Sequence, residues 1–230
     1  MAVTSLIVGE SGSGKSASLR NFDTKEVLVF SLEKSRLPFK KKMNIVKNMP
    51  AMSYTERYEE IVSKAYKYQK VIKVFVIDDA DYLMFFEQQD RVNEKGYDKF
   101  TEMADKFVRL KHEMDRLDDD VTVYFMMHSS IGDDGKARAH TVGKLIDNQL
   151  GTLEALFERC FYATIVDRRH VFATRSDGTN TAKTDMGMFD EEYIDNDLRL
   201  VDEKIREYYE MPSLEDIEKA KAKNEGKKEE

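Results

Sequence analysis

The sequence predicts an α/β fold, with a mainly parallel central sheet flanked by helices and an antiparallel extension at one edge. Three observations predict it. Short, almost wholly apolar runs at 71–77 and 121–127 suit strands covered on both faces. Segments with apolar residues at steps of three and four lie between such runs, as the connections of a parallel sheet require. Two later strand-like runs, 160–166 and 169–175, are joined by a tight turn and so pair antiparallel.

Each element follows in order. Residues 3–8 are a short β-forming run that stops at Gly9, and the chain then turns through Gly14 into a helix start at Lys15–Arg20. A second strand covers 26–32, with Glu33 in the polar loop after it. Tyr54, Tyr58, Ile61, Ala65 and Tyr68 mark a helix over 54–69. The strand at 71–77 follows, ending at Asp78 and Asp79, and Asp81 reads as a surface or helix-capping residue. Phe100, Met103, Phe107, Leu110, Met114 and Leu117 form one stripe of a helix over 97–117, a core face rather than a partner groove. The strand at 121–127 leads to His128. The polar, glycine-containing segment 131–144 reads as a mobile loop, and 148–159 as a helix. From 212 the chain reads as a charged helix and tail. No repeat or clear second domain interrupts 1–200, which we take as one domain, with 201–230 as the tail.

Composition narrows the class. A hydrophobic share of 41% permits a proper core, and the charged 35% is mixed rather than blocked, so a folded domain is expected. A net charge of −7 gives no global attraction to nucleic acid, although a local basic strip can act at short range. Cys160 is the only cysteine, which rules out an internal disulfide, and His112, His140 and His170 lack metal-ligand spacing. No membrane span or signal peptide is legible, and the expected location is cytoplasmic.

The most specific motif is GESGSGKS at 9–16, which satisfies G-x-x-x-x-G-K-S between a strand and a helix start. Gly9, Glu10, Ser11, Gly12, Ser13 and Gly14 supply a tight turn whose backbone N–H groups cradle phosphates. Lys15 brings a cation to the β- and γ-phosphates, Ser16 offers a hydroxyl to Mg²⁺, and Ala17 continues the cradle. Asp78, closing a buried strand expected beside that of the phosphate loop, is placed to hold Mg²⁺. The implied cofactors are ATP and Mg²⁺. A hydrolase also needs a group that orients or activates water. Glu33, after a strand also expected next to the phosphate-loop strand, and His128 are the two candidates.

The ordered set SLIVGESGSGKS, the acid after the second strand, VIDDADYL, a strand ending in Met-His, and VFATRSDGTNTAKTD resembles phage-encoded RecA-like ATPases of the core-only group associated with Sak-type single-strand annealing. The resemblance spans residues 3–185, and Ser31 stands where RecA-type chains often carry a second acid. It implies a RecA-like P-loop fold, Glu33 as hydrolytic base, and His128 as a sensor coupled to a DNA-binding loop. It further implies single-stranded DNA contacts by Lys136, Arg138 and Lys144. It implies a homo-oligomeric ring or filament, with Lys183 or Arg175 reaching a neighbour's nucleotide. A phage annealing or single-strand-binding protein is the implied partner. The basic cluster 36–42 either touches nucleic acid or serves solubility. Two other functions fit the same motif. A nucleoside or nucleotide kinase needs an arginine-rich lid, and 131–144 is poor in arginine. A nucleotide-dependent switch or loader for a replication protein needs only binding.

Overall fold

A computed structural model describes residues 1–33, 36–46, 48–143 and 152–226. Among them, nine strands join one sheet: β1 (Val3–Gly9), β2 (Val27–Ser31), β3 (Ile45–Val46), β4 (Val74–Asp78), β5 (Thr122–Ile131), β6 (Ala137–Ala139), β7 (Arg159–Val166), β8 (Arg169–Ala173) and β9 (Tyr193–Asp195). The order is β3-β2-β4-β5-β1-β7-β8-β9, with β6 paired to the far end of β5. The run from β3 through β7 is parallel, and β8 and β9 extend it antiparallel. This is the α/β architecture read from the sequence, and it is that of a P-loop NTPase fold.

The order corrects one expectation. Neither the strand at 26–32 nor the one ending at Asp78 lies beside β1. β5 runs between β1 and β4, and β2 lies beyond β4. All four carboxyl ends still meet at one edge, because Gly9 registers with His128 and Ser31 with Asp78.

Alternation along the strands explains the layers. Leu6, Val8, Phe75, Ile77, Phe125 and Met127 point to one face, where they pack with Ile61, Leu83, Phe107 and Met114. Those residues come from α1 (Tyr54–Tyr68), α2 (Asp81–Asp90) and α3 (Asp98–Asp115). Ser53 and Glu56 start α1 as a reciprocal capping box. Ile7, Val29, Val76, Tyr124 and Met126 point to the other face. There the chain after the phosphate loop forms only a six-residue 3₁₀ turn, Ser16–Asn21, before β2 must begin. That turn contributes Leu19, the residue after it contributes Phe22, and α4 (Leu198–Tyr208) covers the rest with Leu198, Val201 and Ile205. Asp202 and Arg206 of α4 are fully buried. Asp202 accepts from Tyr124 Oη at 2.8 Å and from Arg206 Nε at 2.6 Å. Arg206 also donates to the carbonyls of Lys73 and Asp120. Such a buried pair is tolerated because its remaining donors and acceptors are satisfied. The expected boundary at 200/201 therefore falls inside a core helix. α5 (Leu214–Gly226) seats Leu214 and Ile217 on the same layer.

Three local readings change. Residues 129–139 form a hairpin, with Ser129 opposite Ala139 and Ile131 opposite Ala137, so the expected loop is partly strand. The expected helix at 148–159 lies partly outside the described residues. Within them the chain makes a short 3₁₀ turn, Leu153–Leu156, and then enters β7. α2 was not legible as a helix. No described helix is long and apolar enough to cross a membrane.

Candidate nucleotide-binding site

β1 delivers the glycine-rich loop to the carboxyl edge of the sheet, where ligands of open α/β folds bind. Gly9 has no room for a side chain, since a Cβ there would lie 2.5 Å from the Ala163 carbonyl and 2.6 Å from Ser13 Oγ. Gly14 has φ +100°, and a Cβ would meet Asn196 Oδ1 at 3.0 Å. Lys15 is buried, and its ammonium donates to the carbonyls of Gly9, at 2.7 Å, and Glu10, at 3.0 Å, so the cation sits inside the loop. Ser18 ties the following turn by donating to the Lys15 carbonyl at 2.6 Å.

A cavity of about 330 Å³ opens over this loop. Ser11, Gly12, Gly14, Lys15, Ser16 and Ala17 form its floor, while Glu10 and Ser13 face a second groove against β7. Asp78 and Asp79, both buried, form one wall. Ser16 Oγ donates to Asp78 Oδ1 at 3.0 Å. A hydroxyl beside a carboxylate is the sparse oxygen donor set that Mg²⁺ accepts while keeping water and phosphate as its other ligands, so these two residues fit the ion. Asp79 adopts φ +60°, a strained conformation for a residue with a side chain, at the point where β4 turns into α2.

His128 stands at the end of β5, opposite Gly9. Its Nδ1 lies 3.0 Å from Asp81 Oδ2, and its backbone N–H donates to Asp81 Oδ1 at 3.2 Å. Its Nε2 is 3.7 Å from Asp79 Oδ1. The hydrogen bond to Asp81 raises the His128 pKa above that of an ordinary histidine, against the opposing effect of partial burial. Asp81 is therefore a buried orienting residue rather than a surface one. Nothing in its local sequence announces this, because the contact spans 47 positions.

Glu33 emerges two residues beyond Ser31 at the same sheet edge, but it is exposed and outside the cavity lining. Arg36, Leu37 and Pro38 of the same loop do line the cavity, and so does His170 of β8, whose Nδ1 donates to the Ser13 carbonyl at 3.0 Å. The basic run 36–42 was the one signal for Arg36; nothing marked His170 or Asn196. Lys136 is exposed at the tip of the β5–β6 hairpin, Arg138 is ion-paired with Asp134, and Lys144 lies outside the described residues. Lys183 is exposed and pairs through its backbone with Cys160. Arg175 is exposed and donates to the Asp190 carbonyl at 2.8 Å, and neither lines the cavity. Among the described residues no cluster of three or more His, Cys, Asp or Glu side chains could hold a metal by itself.

A phosphate loop, a Ser–Asp pair for a divalent cation and a histidine at the neighbouring strand end define a P-loop nucleotide-binding protein. The chain belongs to the AAA domain family, whose model matches residues 1–185 and supports nucleotide binding and hydrolysis. A comparison with curated proteins gives no match. The family match stops before Asn196 and α4, although both pack against the loop or the sheet beneath it.

Proposed function

We propose that this chain is a Mg²⁺-dependent ATPase of RecA-like type that acts on single-stranded DNA in phage recombination or replication. The observation that carries the ATPase reading is the convergence of Lys15, Ser16, Asp78, Asp79 and His128 on one cavity. Backbone N–H groups of 10–14 and Lys15 bind the phosphates and neutralise their charge. Ser16 and Asp78 hold Mg²⁺, which when bound offsets negative charge on the β- and γ-phosphates. A carboxylate, Asp79 or Glu33, orients the attacking water. His128, with Nδ1 committed to Asp81, directs Nε2 toward the cavity and reports the presence of the γ-phosphate.

The DNA step is supported by the path from that histidine. β5 continues from His128 into the β5–β6 hairpin, and the His140 N–H returns to the His128 carbonyl at 2.7 Å. A shift of His128 therefore moves the base of a hairpin that presents Lys136. Non-sequence-specific phosphate contact is what a basic tip of this kind provides. Head-to-tail assembly, with Lys183 or Arg175 reaching the neighbour's site, and a phage annealing or single-strand-binding partner complete the proposal. Anisotropy of a labelled oligothymidine tests it. Tighter binding with a non-hydrolysable ATP analogue than with ADP is expected, and no binding at low salt with either nucleotide contradicts the DNA step.

A further inference from the structure

The fixed charges of the cavity are out of balance for a triphosphate. One buried cation, Lys15, faces two buried carboxylates, Asp78 and Asp79. A further cation lines the same cavity. Arg36 is exposed, lines the cavity, and makes no hydrogen bond or ion pair with the described residues. Its position is built rather than incidental. Leu37 and Phe39 alternate with it and pack half-buried on the core layer under the sheet. Beyond them Lys41 Nζ pairs with Asp23 at 3.1 Å, and Thr24 Oγ1 donates to the Lys42 carbonyl at 2.9 Å. The segment is thus tied at both its apolar and its polar positions, with Arg36 left in the lining of the cavity over the phosphate loop.

We propose that Arg36 is the cation, supplied from within the same chain, that meets the terminal phosphate of the bound nucleotide. This rests on the ATPase reading and deepens it. In hydrolysis a water oxygen bonds to the γ-phosphorus and the bond to the β–γ bridging oxygen breaks. ADP and inorganic phosphate leave, and the water's proton passes to the orienting carboxylate and then to solvent. Arg36 exchanges no proton. Its guanidinium offsets the charge on the γ-phosphoryl oxygens, a role that a planar two-pronged donor fills better than an ammonium. The site then has a γ-phosphate cation in cis, beside any that Lys183 or Arg175 of a neighbour adds on assembly.

The test compares wild type, Arg36→Ala and Arg36→Lys for Mg²⁺-ADP affinity, affinity for a non-hydrolysable Mg²⁺-ATP analogue, and kcat. In Arg36→Ala, ADP affinity stays within about twofold, analogue affinity falls about tenfold and kcat falls roughly a hundredfold. Arg36→Lys recovers analogue binding more than kcat. Equal analogue affinity and kcat in Arg36→Ala and wild type overturn the proposal while leaving the ATPase reading intact. An equal loss of ADP and analogue affinity also overturns it, since the residue would then only support the cavity. A wild-type chain that binds neither nucleotide removes the ATPase reading and this proposal together.

Discussion

His128 is held at the end of β5 by the Asp81 carboxylate, which bonds both its ring and its backbone N–H. Because Asp81 raises the His128 pKa, the imidazolium–carboxylate contact stabilises the fold fully below the ordinary histidine value of 6.5, and that stabilisation is lost as pH rises through the raised value. The melting temperature of wild type should therefore fall relative to that of Asp81→Asn across this window. Parallel pH profiles for the two proteins would contradict the assignment. In the proposed mechanism the water-orienting acid is Asp79 or Glu33, and the two are separable at the same scale. Glu33 carries that role by resemblance, but Asp79 is the acid on the cavity wall, next to His128. Asp79→Asn should lower kcat about a hundredfold or more with nucleotide affinity retained, whereas Glu33→Gln should change it less than tenfold. Steady-state turnover of the two variants separates them, and the reverse order would restore Glu33.

At the scale of elements, α4 takes the place of a long helix after the phosphate loop. Leu198 is fully buried against the sheet, so Leu198→Ala should cost about 2–5 kcal/mol of stability by denaturant titration. A cost near zero would mean that α4 is not part of the core. The contrast between α3 and α4 shows what sequence makes legible. The stripe from Phe100 to Leu117 is uninterrupted, and it read as a helix. In α4 the apolar positions Leu198, Val201 and Ile205 are interleaved with Asp202 and Arg206, which are buried only because they find each other and β5. α2 was hidden for a related reason: its Leu-Met-Phe-Phe run has no polar face to reveal a period. The polarity of 131–144 concealed β6, whose pairing is a backbone matter. Sheet order was the least accessible feature, because hydrophobic runs say which strands are central and not which are neighbours. The phosphate loop and the Asp78 strand were legible because their chemistry is local. Asp81, His170 and Asn196 reach the site only through long-range packing, and Arg36 was marked only as part of a basic run.

At the scale of the whole molecule, a net charge of −7 means that any DNA contact must be made by a local basic feature rather than by long-range attraction. In the proposed reading that feature is Lys136, exposed at the hairpin tip, while Arg138 already has Asp134 as counterion. Lys136→Ala should therefore weaken single-stranded DNA binding more than Arg138→Ala and lower the salt slope by about 1, with nucleotide affinity unchanged. Binding titrations at several salt concentrations check this, and an unaltered slope would move the DNA surface elsewhere. In the proposed function the cavity over the phosphate loop hydrolyses ATP and the hairpin beyond His128 couples hydrolysis to DNA. The most direct test is phosphate release by wild type and Lys15→Ala, each with and without single-stranded DNA in the presence of Mg²⁺. Wild-type turnover should rise severalfold or more with DNA, and Lys15→Ala should show none above background under either condition. Wild-type turnover that is absent, or that persists in Lys15→Ala, would contradict the assignment of the site, and turnover indifferent to DNA would contradict the coupling.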